Sequence, residues 1–227
     1  MNYYRFISSF KAVNGCALQT TGKPGERKVV PNRNKEFAVE YSISPDPVEL
    51  DGVSFGANTS ARHFHFGGCQ WMLPIGRTEK IYRYEIKITD VPQGWRLYSS
   101  LSNNPQQVVV ESSYDELVSS AIGGGSQSFK EQMIHGKPVR VFIAGDFQVP
   151  ADSIFQSVFK MVGLQRQWFA DDDFPFYTVT VMQRSGIIAG TCIANSFVCF
   201  VNVEMVQLSQ AIQLRPPLLP CSHKFLT

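Results

Sequence analysis

The strongest constraint in the sequence is a two-residue rhythm. Ile81-Tyr-Arg-Tyr-Glu-Ile-Lys-Ile-Thr89 switches between apolar and charged along its length. Successive side chains of an extended chain point to opposite faces, so this run fits a strand with one face buried and one in water. The rhythm recurs at Glu36–Ser44, where Phe37, Val39, Tyr41 and Ile43 share one side before Pro45 and Pro47 stop the run. Ala61-Arg-His-Phe-His-Phe66 alternates until Gly67-Gly68. Trp95–Ser100 follows the turn Pro92-Gln-Gly94, and Val108–Glu111 is a further extended run. Short strands separated by turn residues predict an antiparallel sheet or sandwich over residues 36–112.

The rhythm changes after residue 112. Ser113-Tyr-Asp-Glu-Leu-Val118 reads as a helical turn with Ser112 or Ser113 as N-cap. Gly123-Gly-Gly125 reads as a flexible break, a linker between two halves. Pro138–Ala144 is a strand. Pro150-Ala-Asp-Ser opens a helix on which Ile154, Phe155, Val158, Phe159, Val162 and Leu164 make an apolar face, with Gly163 and Asp171-Asp-Asp173 at its end. Phe176–Met182 is rich in β-branched and aromatic residues and predicts a strand, and Ile187–Val203 carries a second one around Gly190–Phe197. The expected fold class is therefore α+β: a β-rich antiparallel part, then a mixed α/β part. Four segments follow: a basic arm over 1–35, a β-rich domain over 36–112, an α/β domain over 113–203, and an atypical tail over 204–227, where Glu204–Leu214 could be helical.

Composition narrows the function classes. The chain has 227 residues, 21 Lys+Arg, 19 Asp+Glu and a formal net charge of +2. That balance excludes a strongly basic nucleic-acid binder, and the supply of 17 Phe fits a packed core rather than a disordered chain. No apolar run approaches the ~20 residues needed to span a bilayer; the longest, Ser196–Val203, is interrupted by Asn202. Neither nucleic acid nor membrane is expected as a partner. The start Met1-Asn-Tyr-Tyr-Arg-Phe-Ile lacks a secretory pattern, and the five cysteines, an odd number without a Cys-x-x-Cys pair, read as buried thiols. The expected location is cytoplasmic. Residues 1–35 hold seven Lys/Arg against one Glu, Glu26, which suits a solvated arm or a patch for an acidic partner.

Three stretches carry a resemblance. They are Gly94-Trp95-Arg-Leu-Tyr-Ser99-Ser100-Leu101, Tyr114-Asp-Glu-Leu117-Val118-Ser-Ser-Ala-Ile122, and Val141-Phe-Ile-Ala-Gly145-Asp146 with the helix that follows. In order and spacing they resemble the glycyl aminopeptidase family of thermolysin-like zinc metallopeptidases, over roughly residues 36–202. Pro92-Gln-Gly94-Trp95 matches the Pro-x-Gly-Trp turn that closes that family's β-rich N-terminal domain. Gly190-Thr-Cys-Ile-Ala-Asn195-Ser196 stands where the family carries a Gly-rich, Asn-Ser-containing strand. The resemblance implies a partial thermolysin-like second half, with Trp95, Tyr114 and Asn195 as candidate peptide-binding residues.

The departures bear on activity. Ser119-Ser120-Ala121 replaces the family's Asp-Ser-Pro, and Cys192-Ile193-Ala194 stands where the family has a Glu-His pair. The chain has no His-Glu-x-x-His, the motif that sets two imidazoles one turn apart with a general base between them. The family's zinc is therefore without its ligands here, and no cofactor is expected. The zinc helix would stand close after Val203, so the sequence reads as a family member that stops early or has a replaced tail. The resulting expectation is a non-catalytic relative that binds a peptide or protein in the cleft between its halves, with an exposed apolar edge that could support a homo-oligomer. One alternative is a hydrolase with a metal at His63 and His65, which share a strand face and would need Cys69 or His135 as third ligand. Another is a structural or interaction module that uses the basic arm.

Other features read as structural. Asp171-Asp-Asp173 lacks the spacing of a complete calcium loop and fits a solvated turn. Cys192 and Cys199 lie in an apolar strand without a neighbouring base. Gly123-Gly-Gly-Ser126 lacks the Lys-Ser/Thr of a phosphate loop. Trp71, Trp95 and Trp168 could line a groove, but packing is the expected role of Trp95 and Trp168.

Overall fold

A computed structural model describes residues 7–22, 27–32, 36–43, 58–71, 79–170, 172–183 and 188–202. The expected Glu204–Leu214 helix, Cys221 and Asp171 lie outside these residues. The loosely patterned start is strand-rich. β1 (Ile7–Asn14) pairs antiparallel with β4 (Ala38–Ile43), and between them β2 (Cys16–Thr20) pairs with β3 (Arg27–Pro31). On β4 the alternating residues Val39, Tyr41 and Ile43 are half-buried while their neighbours are exposed. Phe10 faces Tyr41 across the pair and stacks on it at 6.0 Å.

The next group forms a four-stranded antiparallel sheet and a separate ribbon. β5 (Asn58–Thr59) and β6 (His63–Gly67) lead into α1 (Gly68–Trp71). β7 (Tyr82–Lys87) pairs with β9 (Gln107–Ser112), so that Tyr84 faces Val110 and Ile86 faces the fully buried Val108. Arg83, Glu85 and Lys87 stay exposed, as their alternation requires. Between these two strands comes β8 (Arg96–Ser99). The turn of helix α2 (Tyr114–Leu117) is closed by a capping box in which Ser113 and Glu116 satisfy each other's backbone N–H.

The glycine triplet corrects the sequence reading most sharply. Ala121–Gly125 is not a linker but strand β10, all five residues buried, inserted between β6 and β8 in the order β5-β6-β10-β8. Glycine is needed because the flanking side chains occupy the space a Cβ would take. At Gly123 a Cβ would lie 2.2 Å from the Tyr98 ring, and at Gly124 2.5 Å from Leu97.

The last group is a mixed five-stranded sheet. β11 (Ser128–Ile134) and β12 (Lys137–Ala144) form a hairpin whose turn residues His135 and Gly136 both have positive φ, as a type I′ turn demands. Helix α3 (Ala151–Phe169) then carries the chain over to β13 (Tyr177–Gln183), parallel to β12. β14 (Ala189–Ile193) and β15 (Ser196–Val201) complete the order β11-β12-β13-β15-β14. The apolar run expected as one strand is thus a hairpin, because Asn195 adopts φ +54° and reverses the chain. α3 runs through Gly163 and ends only at Ala170, whose φ of +50° is the left-handed helix cap.

Alternation on the mixed sheet gives it two different faces. Val139, Val141, Ile143, Val179, Val181 and Val201 meet Ile154, Phe155, Val158, Phe159 and Val162 of α3. Burying side chains of this size contributes roughly 1.5–3 kcal/mol each before entropy is counted. Leu164 is not part of this face; it is 55% exposed. The other face packs on the four-stranded sheet: Tyr98 meets Phe142 at 4.7 Å, His65 meets Phe200 edge-on at 6.3 Å, and the Arg96 guanidinium lies over Phe129. The molecule is α+β, as the alternation indicated, with its layers ordered sheet, sheet, helix.

The glycine strand yields a prediction. Gly123→Ala forces its methyl into the Tyr98 ring, and overpacking of this kind costs roughly 1–3 kcal/mol. A lowered urea midpoint with unchanged slope is expected; an unchanged midpoint would show that the ring has room to move.

Candidate functional site

The space between the two sheets holds two of the most perturbed side chains among the described residues, His65 and Tyr98. Gly123 pairs with His65 on one side and with Tyr98 on the other. The three residues form one row across the sheet, and the middle position carries no side chain. His65 and Tyr98 therefore reach over Gly123 and share a 2.7 Å hydrogen bond between Nδ1 and the phenol oxygen. Both are buried, at 3% exposure each. Burial, with a smaller contribution from nearby His63, pushes the His65 pKa down to about 4, and burial pushes the Tyr98 phenol up. Both groups are neutral at pH 7, which is how a low-dielectric interface tolerates them.

His63 sits two residues before His65 on the same strand face but is committed elsewhere. Its Nδ1 bonds the Ser60 hydroxyl at 2.9 Å and its Nε2 bonds Asn58 Oδ1 at 3.3 Å. The proposed third ligands do not converge on it. His135 lies in the β11–β12 turn and bonds Asp172 at 3.0 Å, and the Cys69 thiol is pushed up by burial, toward its protonated, poorly ligating form. Among the described residues no group of three or more His, Cys, Asp or Glu could hold a metal ion. The zinc that the sequence resemblance implies does not fit the residues described, and no step is derived through it.

The three candidate binding residues lie on separate elements. Trp95 stands just before β8, half-buried, and stacks on Phe64 at 6.2 Å. Phe64 neighbours His65 on its strand, so this stack is on the opposite face of the sheet from the His65–Tyr98 pair. Tyr114 opens α2. Asn195 is at the other end of β8 from Trp95: its Nδ2 donates to the Ser100 carbonyl at 3.2 Å, while its own carbonyl accepts from the Thr178 N–H at 2.9 Å. Asn195 thus fastens the β14–β15 turn to the four-stranded sheet. Among the described residues β14 stands at the edge of the mixed sheet.

Other readings are corrected in detail. Trp168 does not pack; it is 83% exposed, because it projects past the buried stripe of α3. Trp71 is half-buried, and the Tyr41 hydroxyl donates to its carbonyl. Asp172 is engaged by His135. Cys192 is disulfide-bonded, so the expectation of thiols throughout does not hold, whereas Cys16, Cys69 and Cys199 remain thiols. Cys192 and Cys199 stand on different strands of the hairpin. Tyr98 and Gly123 escaped the sequence reading; the signal was a glycine run flanked by apolar residues, which suits a crowded strand as well as a loop.

No family profile matches the chain, and no curated protein matches it by sequence. Its fold does have counterparts among solved structures. An aminopeptidase N family protein from Idiomarina loihiensis aligns over 89% of this chain and 35% of its own, with a TM-score of 0.68 at 18% identity. The chain shares the fold of the matched part of that protein. An M1 zinc metallopeptidase from Deinococcus radiodurans aligns over 86% of this chain and 50% of its own at 12% identity, with a TM-score of 0.44. A two-domain M1 zinc metallopeptidase variant bound to L-arginine gives 86%, 50%, 14% and 0.43. The resemblance to zinc metallopeptidases is thus borne out at the level of the fold, by the first of these. The chain spans about a third of that aminopeptidase-family protein's length. Among the described residues no helix is long and apolar enough to cross a membrane.

The buried imidazole makes the fold acid-sensitive. His65 stays neutral in the folded chain at pH values where a solvated imidazole is protonated, so below ~6.5 the unfolded chain binds the extra proton. Stability is therefore expected to fall as pH drops from ~6.5 to about 4, by on the order of a few kcal/mol. His65→Leu should be less stable than the native chain at pH 7, with the gap in Tm narrowing toward pH 4. A gap that stays constant would remove His65 as the acid-sensitive group.

Proposed function

We propose that the chain is a non-catalytic, peptide-binding relative of the aminopeptidase fold, with the peptide adding as an extra strand to β14. The observation that carries this reading is the placement of β14: among the described residues it ends the mixed sheet, and the Asn195 bond to Ser100 holds its turn against the other sheet. An edge strand offers unsatisfied N–H and C=O groups to an extended segment, and main-chain pairing then supplies affinity. Gly190 keeps the strand slim, for the Phe197 ring occupies the place of a side chain there, 2.5 Å from where a Cβ would lie. The commitments of His63 and His65 favour a binding role over a metallohydrolase.

The test has two arms. Titrating the tripeptide Gly-Ala-Ala into the labelled protein should shift amide resonances of residues 189–193, and Asn195→Ala should weaken binding several-fold by releasing the turn. Shifts elsewhere with none in β14 would reject the edge-strand mode. In the second arm, Gly- and Ala-anilides are incubated with the protein and one equivalent of zinc, with no turnover expected. Turnover proportional to bound zinc would overturn the non-catalytic reading.

A further inference from the structure

We propose that residues 204–221 fold back over the α3 side of the mixed sheet and are strapped there by a disulfide between Cys192 and Cys221, which makes cover of that face sensitive to reduction. The pairing follows from a count. The chain has five cysteines. Cys192 is disulfide-bonded, while Cys16, Cys69 and Cys199 are thiols, so Cys221 is the cysteine left to be its partner. The strap concerns a face of β14 rather than its open edge and does not rest on the edge-strand reading.

Residues paired across neighbouring strands share a face of the sheet. Cys192 pairs with Phe197, and Gly190 with Cys199. Phe197 and Cys199 pack against the core cluster beneath α3, so Cys192 and Gly190 lie on that side too. The cover there is uneven. α3 packs chiefly against β11 and β12, at the far end of the sheet from β14. Cys192, Phe197 and Cys199 are accordingly only half-buried, and Gly190 is exposed. The wall beside this floor is apolar as well. Phe159 and Gly163 of α3 face the β11–β12 hairpin. At 3.6 residues per turn, Met161 and Trp168 then fall on the other flank, toward β15, with Leu164 near the crest. Leu164 and Trp168 are exposed.

The segment that follows β15 has the length and pattern to fill this corner. β15 is parallel to β13 and β12, so the chain leaves it at the end of the sheet where β12 hands over to α3. Phe197, the partner of Cys192, stands four residues back along β15 from Val201, about 13 Å at the rise of a strand. Residues 204–214 would return about 16 Å as a helix. On it Met205, Leu208 and Ile212 recur at i, i+3 and i+7, and no charge lies between Glu204 and Arg215. Pro216 and Pro217 stop the helical pattern. The seven residues 215–221 reach up to about 23 Å when extended, enough to set Cys221 against Cys192. A dithiol opens such a strap by exchange: its two thiols close to a disulfide, and Cys192 and Cys221 each take up a proton and become thiols.

The experiment uses the full chain, purified with free thiols blocked by N-ethylmaleimide and digested with chymotrypsin, which cuts after Phe197 and Leu214 and so separates the three C-terminal cysteines. Mass spectrometry should find the fragments holding Cys192 and Cys221 linked, and separate after dithiothreitol. Amide exchange at residues 189–201 should quicken about tenfold on reduction, as for a face that has lost its cover. Cys221→Ser should exchange like the reduced chain without reductant. Leu208→Asp with Ile212→Asp should quicken exchange while the link persists, which separates docking from the crosslink. Absence of the link, exchange unchanged by reduction or by the double variant, or protection that depends on protein concentration, which would assign the corner to a second copy, would each overturn the proposal.

Discussion

The two sheets are held in register by an absence. Gly123 has no side chain, and only for that reason do His65 and Tyr98 meet above it. Their bond satisfies two polar groups that neither Phe142 nor Phe200, the aromatic rings facing them from the mixed sheet, could satisfy. An unmade hydrogen bond at such depth costs more than a made one returns. The pairing therefore selects one relative position of the sheets, since sliding either by one residue would put Phe64 or Leu97 in the row and turn the polar pair outward.

The same interface explains how differently the two faces of the mixed sheet are made. Toward α3 it is mainly aliphatic and aromatic, with the buried Arg166 bonded to the Ile134 carbonyl, and its cohesion is chiefly burial. Toward the four-stranded sheet it sets rings and the buried Thr178, Thr180 and Ser196 against that sheet, and the directional contacts there include the His65–Tyr98 and Asn195–Ser100 bonds. The first face tolerates changes of shape that keep volume. The second ties strand position to particular hydrogen-bonding atoms.

Much of the fold was legible because alternation and its interruption are local. Tyr82–Lys87, Ala38–Ile43, Ser113 as a cap and the apolar stripe of α3 all follow from spacing within a few residues. The glycine strand was not, because glycine carries the same local signal in a loop and in a crowded sheet; what distinguishes them is the Tyr98 ring, brought in from another strand. The turn at Asn195 was hidden by apolar residues on both sides. For the candidate sites, the sequence singled out Asn195 but showed neither its place in a turn nor its bond to Ser100. Nor could the shared strand face of His63 and His65 reveal that Ser60, Asn58 and Tyr98 already hold their nitrogens.

The position of β10 also bears on how the chain assembles. The β11–β12 hairpin closes through a two-residue turn and can form early, and β12, α3 and β13 follow one another along the chain. β10, by contrast, must enter between β6 and β8, with partners that β7, β9 and α2 separate from it in part. Closing such loops has an entropic cost before any contact compensates it, so non-local pairing of this kind slows folding. The larger loop-closure cost therefore falls on the glycine strand, and the smaller one on the β11–β12 hairpin of the mixed sheet.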